Sequence, residues 1–120
     1  MASFKRRSTQ PGISKNTLTP FLLKHSNPQQ RARAARDTTL SLEQFTTLAA
    51  DSDEHVKICL AKNAATPPLI LADLACDHHF TVCFWVAMHS ACPLYILKAL
   101  MNDPVDVVSM AAKGNLERKS

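Results

Sequence analysis

Leucine recurs at positions 48, 74 and 100, and valine at 56, 82 and 108. Both series step by 26 residues. The same step aligns Asp51, Asp77 and Asp103, then Phe45, Leu71 and Leu97, then Ser41, Pro67 and Pro93, and finally Asn63, His89 and Asn115. Agreement across so many columns without a gap marks an internal repeat, which outranks any local reading of the chain. A degraded copy precedes the three full ones. Residues 31–37 fall under 57–63, and Leu22 falls under Leu48, while Thr19-Pro20 lies late for that register.

Each row divides into two short amphipathic stretches. In the second row, Thr66 is placed to cap a helix with Pro67 at its first position, where a missing N–H is harmless. Leu71, Leu74 and Ala75 follow at helical spacing, with Ile70 widening the stripe. Asp77 is placed to cap the next helix, which carries Val82, Trp85 and Val86. One row earlier, Asp51 and Glu54 have the spacing of a capping box, and Asn63 terminates the second helix. No helix is expected to exceed about three turns, and helices that short are unstable alone in water. They must bury their stripes on neighbours, and neighbours at a fixed sequence distance make a stack. The expected fold is therefore all-α: a short α-solenoid of stacked two-helix repeats with a 26-residue period. The columns of leucine and valine should form its core. The expected organisation is a basic, disordered arm over 1–17, a degenerate repeat over 18–38, full repeats over 39–64, 65–90 and 91–116, and a tail over 117–120. Ala111-Ala112-Lys113-Gly114-Asn115 lacks a strong apolar pair, so the last row reads as a fraying cap.

Composition adds little beyond ruling things out. The 120 residues include only 2 glycines, which argues against a turn-rich β fold and against a glycine-rich phosphate loop. The run 78–97 contains no Asp, Glu, Lys or Arg, but Pro93 and three histidines interrupt it, so no membrane span is expected. The start of the chain lacks the apolar segment of a secretory signal. With no Cys-x-x-Cys among Cys59, Cys76, Cys83 and Cys92, reduced thiols and a cytoplasmic location follow.

Charge changes the picture more. The chain carries +4, but residues 1–36 carry +8 and residues 37–120 carry −4. Lys5, Arg6, Arg7, Lys15, Lys24, Arg31, Arg33 and Arg36 form a basic region free of acidic residues, suited to phosphates or to an acidic protein face. Helical spacing puts Arg33 and Arg36 on one face and Arg31 well around the cylinder. No base-reading motif accompanies them, so nucleic-acid contact would be to the backbone and strongly salt-dependent.

Other candidate chemistry yields to structural roles. His78-His79 beside Asp77 sits in an inter-helix turn, and no metal is assigned to it. The three periodic aspartates are assigned to helix capping, not to acid–base catalysis. Cys59 shares a column with Trp85 and should be buried, whereas Cys83 shares one with Lys57 and Ser109 and should be exposed. No Cys–His spacing is read as a nucleophile. Phe84 and Trp85 are assigned to the core, because Phe84 aligns with Ile58 and Met110.

The runs Leu48-Ala49-Ala50-Asp51, Val56-Lys57, Leu60-Ala61-Lys62-Asn63, Thr66-Pro67-Pro68 and Leu71-Ala72-Asp73-Leu74-Ala75-Cys76-Asp77 resemble the leucine-rich repeat variant family over residues 40–116. That resemblance implies a HEAT-like superhelix of alternating α- and 3₁₀-helices, mostly bacterial relatives and no enzymatic activity. A cysteine-ligated cluster found at the N-terminus of one member is not carried over, because the first cysteine here is Cys59. The expected function is a non-enzymatic binding module without cofactor, a protein–protein adaptor. The alternative is a nucleic-acid-binding accessory protein that uses the basic region. A HEAT-like DNA glycosylase is a remote third class.

Overall fold

The computed structural model describes residues 15–119, with side chains from residue 19 onward. Within these residues the chain forms eight α-helices and no strand: α1 (Lys15–Leu23), α2 (Pro28–Ala35), α3 (Leu42–Ala49), α4 (Glu54–Lys62), α5 (Pro68–Ala75), α6 (Phe80–Met88), α7 (Leu94–Leu100) and α8 (Asp106–Lys119). The even-numbered helices start at 28, 54, 80 and 106, and α3, α5 and α7 start at 42, 68 and 94, so each start is 26 residues after its counterpart. No helix is long and apolar enough to cross a membrane.

The helices pack in two layers. α2 lies on α4, α4 on α6 and α6 on α8, while α1 lies on α3, α3 on α5 and α5 on α7. Among the described residues, no packed pair is more than two elements apart in the chain. The interior is made by the aligned columns. Leu48, Leu74 and Leu100, Val56, Val82 and Val108, and Phe45, Leu71 and Leu97 are all buried. Each of α3 to α8 thus hides a stripe, and a fully buried Leu or Val side chain contributes about 1.5–3 kcal/mol.

Two polar columns fix how the layers meet. The first lies in the turn inside each row. Asp51, Asp77 and Asp103 each accept, through Oδ1, the backbone N–H two residues on. They therefore shape the turn and do not cap the helix. The cap of α4 is Asp53, whose side chain accepts from Val56 N–H, and the capping box belongs to Ser41 and Gln44 on α3, not to Asp51 and Glu54. His25 occupies the same column and accepts from Asn27 N–H through Nδ1, so the first row keeps the turn with different chemistry.

The second column is buried. Asn63 Nδ2 donates to the carbonyls of Ala35 and Asp37, both at 2.9 Å. One row on, His89 Nε2 donates to Asn63 O at 2.8 Å while its Nδ1 accepts from Ala91 N–H, which fixes the tautomer. Another row on, Asn115 Nδ2 donates to the carbonyls of Ala87 and His89. Ala35 and Ala87 sit at or near helix ends, where carbonyls lack an intrahelical partner. Each row thus satisfies the terminus of the row before it.

Several local expectations change. Pro67 is the cap residue of α5, not its first helical residue. Pro68 follows it, and a residue before proline is kept out of helical geometry. Thr66 instead donates its hydroxyl to Leu60 O. Thr19-Pro20 does not open a helix. Pro20 lies inside α1, which starts at Lys15 and so reaches into the span assigned to the arm. The last row does not fray either. α8 runs 14 residues to Lys119, past the boundary placed at 116 and longer than three turns. Asn63 is followed within four residues by proline, whereas Asn115 is followed by Leu116, Glu117 and Arg118, all good helix formers. The remainder of the arm, including Lys5, Arg6 and Arg7, and the final residue of the tail lie outside the described residues.

Candidate functional site

The basic residues do not act as one set. Arg31 is committed within the fold: its Nε and Nη2 bind both oxygens of Asp51, at 2.6 and 3.2 Å, and Nη1 donates to the carbonyls of His25 and Ser26. Its guanidinium donors are thus taken up by these internal partners. The Asp51 hydrogen bond raises the Arg31 pKa. Burial pushes the Asp51 carboxyl up, but the bonds from Arg31 and from Asp53 N–H outweigh it and hold the group below its usual range. The next row repeats the device. Lys57, buried, donates from Nζ to Asp77 Oδ2 at 2.5 Å. Burial again opposes ionisation, yet the Lys57 bond and those from His79 hold Asp77 at about 2.

One row further on, the cation is replaced by Cys83. Its thiol is buried, not exposed as the column had suggested, and donates to the carbonyls of Ala75 and Asp77. The column is buried at Lys57, Cys83 and Ser109 and half-buried at Arg31, and the ion pair with Asp77 offsets the burial of the Lys57 charge. Burial, reinforced by Asp103 and Asp77, pushes the Cys83 thiol up to about 11. Burial does the same to Cys92, also to about 11, and raises Cys59. Cys76 alone is exposed among these free thiols. A native-state titration with a disulfide reagent should therefore show one rapid thiol, abolished by Cys76→Ser, with the other three reacting only on unfolding.

Asp77, His78 and His79 bring one ligand atom each within 4.8 Å of one another. Asp77 has both oxygens engaged, by Lys57 and by His79, and the ammonium beside it repels a second cation. The turn is thus held together by its own hydrogen bonds. α4 also brings together a pair that the sequence reading passed over: His55 Nε2 lies 3.7 Å from Cys59 Sγ, one helical turn away. The raised thiol pKa leaves that sulfur protonated and weakly nucleophilic.

The exposed side of the even-numbered helices carries two clefts. One cleft of about 350 Å³ is lined by α4 and by the turns that follow α2 and α4, with Arg36, Thr38, His55, Ile58 and Lys62 among its residues. A second, of about 290 Å³, is lined by Lys62, Ala64, Trp85, Met88 and Ser90. Thr38, Ala64 and Ser90 fall in one column, as do Arg36, Lys62 and Met88, so the clefts are the same place one row apart. Lys62 belongs to both, and its ammonium lies 4.5 Å from the centre of the Trp85 ring. Phe84 and Ile58 are only half-buried, and Met110 is 67% exposed. Phe84, Trp85 and Ile58 nonetheless pack against the buried core, in keeping with the role assigned to Phe84 and Trp85, while Met110 stands open to solvent. Lys24, Arg33 and Arg36 are exposed, and Arg33 bonds only to Gln30 Oε1 among the described groups. Lys15 lies on the backbone of α1.

A comparison with family models, with curated proteins and with solved structures finds no match for this chain.

Proposed function

We propose that the protein is a short α-solenoid of stacked two-helix repeats, akin to the leucine-rich repeat variant and HEAT-like proteins, and that it acts as a non-enzymatic protein–protein adaptor. The observation that carries this reading is the pair of clefts on the even-numbered helices, one row apart and partly apolar. A recess that recurs with the repeat is suited to an extended macromolecule, because each row offers one more subsite along its length. The titratable groups of the interior are engaged in holding turns, and the buried thiols are held protonated, which fits binding better than catalysis. A reducing compartment such as the cytoplasm suits four free cysteines.

The test is selection from a random-peptide library on the wild-type chain and on a Phe84→Asp/Met88→Asp variant of matched helicity. Enrichment lost in the variant supports the adaptor reading, and enrichment that ignores the variant, or none, overturns it. A second reading, nucleic-acid binding, draws on exposed Arg33 and Arg36. It requires duplex or single-stranded DNA binding that falls steeply with salt and is lost in Arg33→Ala/Arg36→Ala.

A further inference from the structure

Four columns form the side of the even-numbered helices that carries the clefts, with Ala32 and Cys59 buried beneath it. The columns are Gln29, His55, Thr81 and Val107; Ala32, Ile58, Phe84 and Met110; Arg33, Cys59, Trp85 and Ala111; and Arg36, Lys62, Met88 and Gly114. None holds Asp or Glu, although the chain has 10 acidic residues. The cations fall in the first two rows and the large apolar side chains, Ile58 apart, in the last two, so the side is graded from positive to apolar. No described carboxylate lies within ion-pair distance of Arg33, Arg36 or Lys62. Glu54, at the start of α4, is already engaged by the Thr81 hydroxyl.

The occupant of such a face needs negative charge at one end and bulk at the other. Nucleic acid carries its charge evenly and would need cations along the whole face, but the last two rows offer Phe84, Met88, Val107 and Met110 instead. A polypeptide can vary its side chains along the face. Stacked helices lie about 8–10 Å apart, and an extended chain rises about 3.3 Å per residue. Neighbouring clefts are therefore about three residues apart on an extended ligand.

We propose that the two clefts form one groove for a polypeptide segment, with acidic side chains on Arg36 and Lys62 and a bulky apolar side chain against Trp85 and Met88, about three residues away. The proposal rests on the adaptor reading and names its ligand class. Lys62 is the hinge of the arrangement. Drawn to a ligand carboxylate, its ammonium leaves the face of Trp85 and opens the second cleft, so the two subsites fill together. Because Trp85 is the single tryptophan of the chain, its fluorescence reports on the groove directly.

The probes are two acetylated, amidated peptides, Gly-Glu-Glu-Ser-Gly-Leu-Phe-Gly and its reversed order, their glutamine versions, and a single-stranded oligonucleotide of twelve thymidines. Saturable change in Trp85 fluorescence with a glutamate peptide is expected, weakened by salt and absent with its glutamine version. Arg36→Glu and Lys62→Glu, both at exposed positions, should each weaken binding roughly tenfold or more while leaving circular dichroism unchanged. Arg36→Lys should keep most of it. Equal binding of the glutamine peptides, no response to either glutamate peptide, or a response to the oligonucleotide alone each overturns the proposal. Library enrichment of face-dependent peptides without acidic residues would also overturn it while leaving the adaptor reading intact. An absence of any face-dependent peptide would remove both.

Discussion

Replacing Asn63 with leucine is expected to destabilise the protein by about 2–6 kcal/mol, since it strands two buried carbonyls at a cost of about 1–3 kcal/mol each. The side chain is buried, donates to the Ala35 and Asp37 carbonyls and accepts from Ala65 N–H. Leucine fills similar space and satisfies none of the three. Two substitutions separate this cause from a packing defect. Asn63→His should be milder, because His89 occupies the same column one row on with a donor and an acceptor in place. His89→Asn should be neutral or stabilising, since asparagine at 63 and at 115 reaches two carbonyls where His89 reaches one. Urea midpoints followed by circular dichroism measure all three. A small loss in Asn63→Leu would show that the column is not what joins the rows.

Lys57→Met should cost about 3–5 kcal/mol, the usual consequence of leaving one member of a buried ion pair alone. The side chains of Lys57 and Asp77 are 8% and 10% exposed. Asp77→Asn in that background should recover part of the loss, because asparagine keeps an oxygen for His79 N–H without a stranded charge. The pH dependence has a definite sign. The folded Asp77 carboxyl lies below its ordinary 3.8, at about 2. The pair therefore contributes in full above 3.8, and its contribution disappears as pH falls toward 2. The difference between wild type and Lys57→Met should be large at neutral pH and should shrink through that acid interval. Asp51, held low by Arg31, gives both proteins a shared acid sensitivity. A difference that stays constant with pH would exclude the ion pair as its source.

The helical rows were readable because burial imposes the same residue on each turn of the pattern. Leu48, Leu74 and Leu100 see the same surroundings, so the column announces itself. The turn aspartates were found for the right spacing and given the wrong bond. Periodicity locates a polar residue at a helix boundary, but only geometry tells an acceptor for the N–H two residues on from a cap three residues on. Cys83 was misplaced because its column was judged from Lys57, and a buried lysine reads as exposed until its partner Asp77 is seen across 20 residues. The groove was hidden for the opposite reason. Arg36, Lys62 and Met88 share a position but no chemistry, and a surface column has no interior to keep it uniform. What could have drawn attention to it is that four such columns lack any carboxylate. Arg33 and Arg36 were recognised as accessible cations, while Arg31 needed the position of Asp51 to reveal it as internal.

Contacts confined to elements at most two places apart carry one more implication. Successive rows are joined by side-chain donors on one row and carbonyls on the row before it: Asn63 to Ala35 and Asp37, His89 to Asn63, and Asn115 to Ala87 and His89. A block of 26 residues excised or duplicated at these seams would present compatible edges on both sides. Changing the number of such blocks would change the length of the molecule without redesign of an interior. The reach of the groove, and the number of side chains it can read, would grow in the same increments.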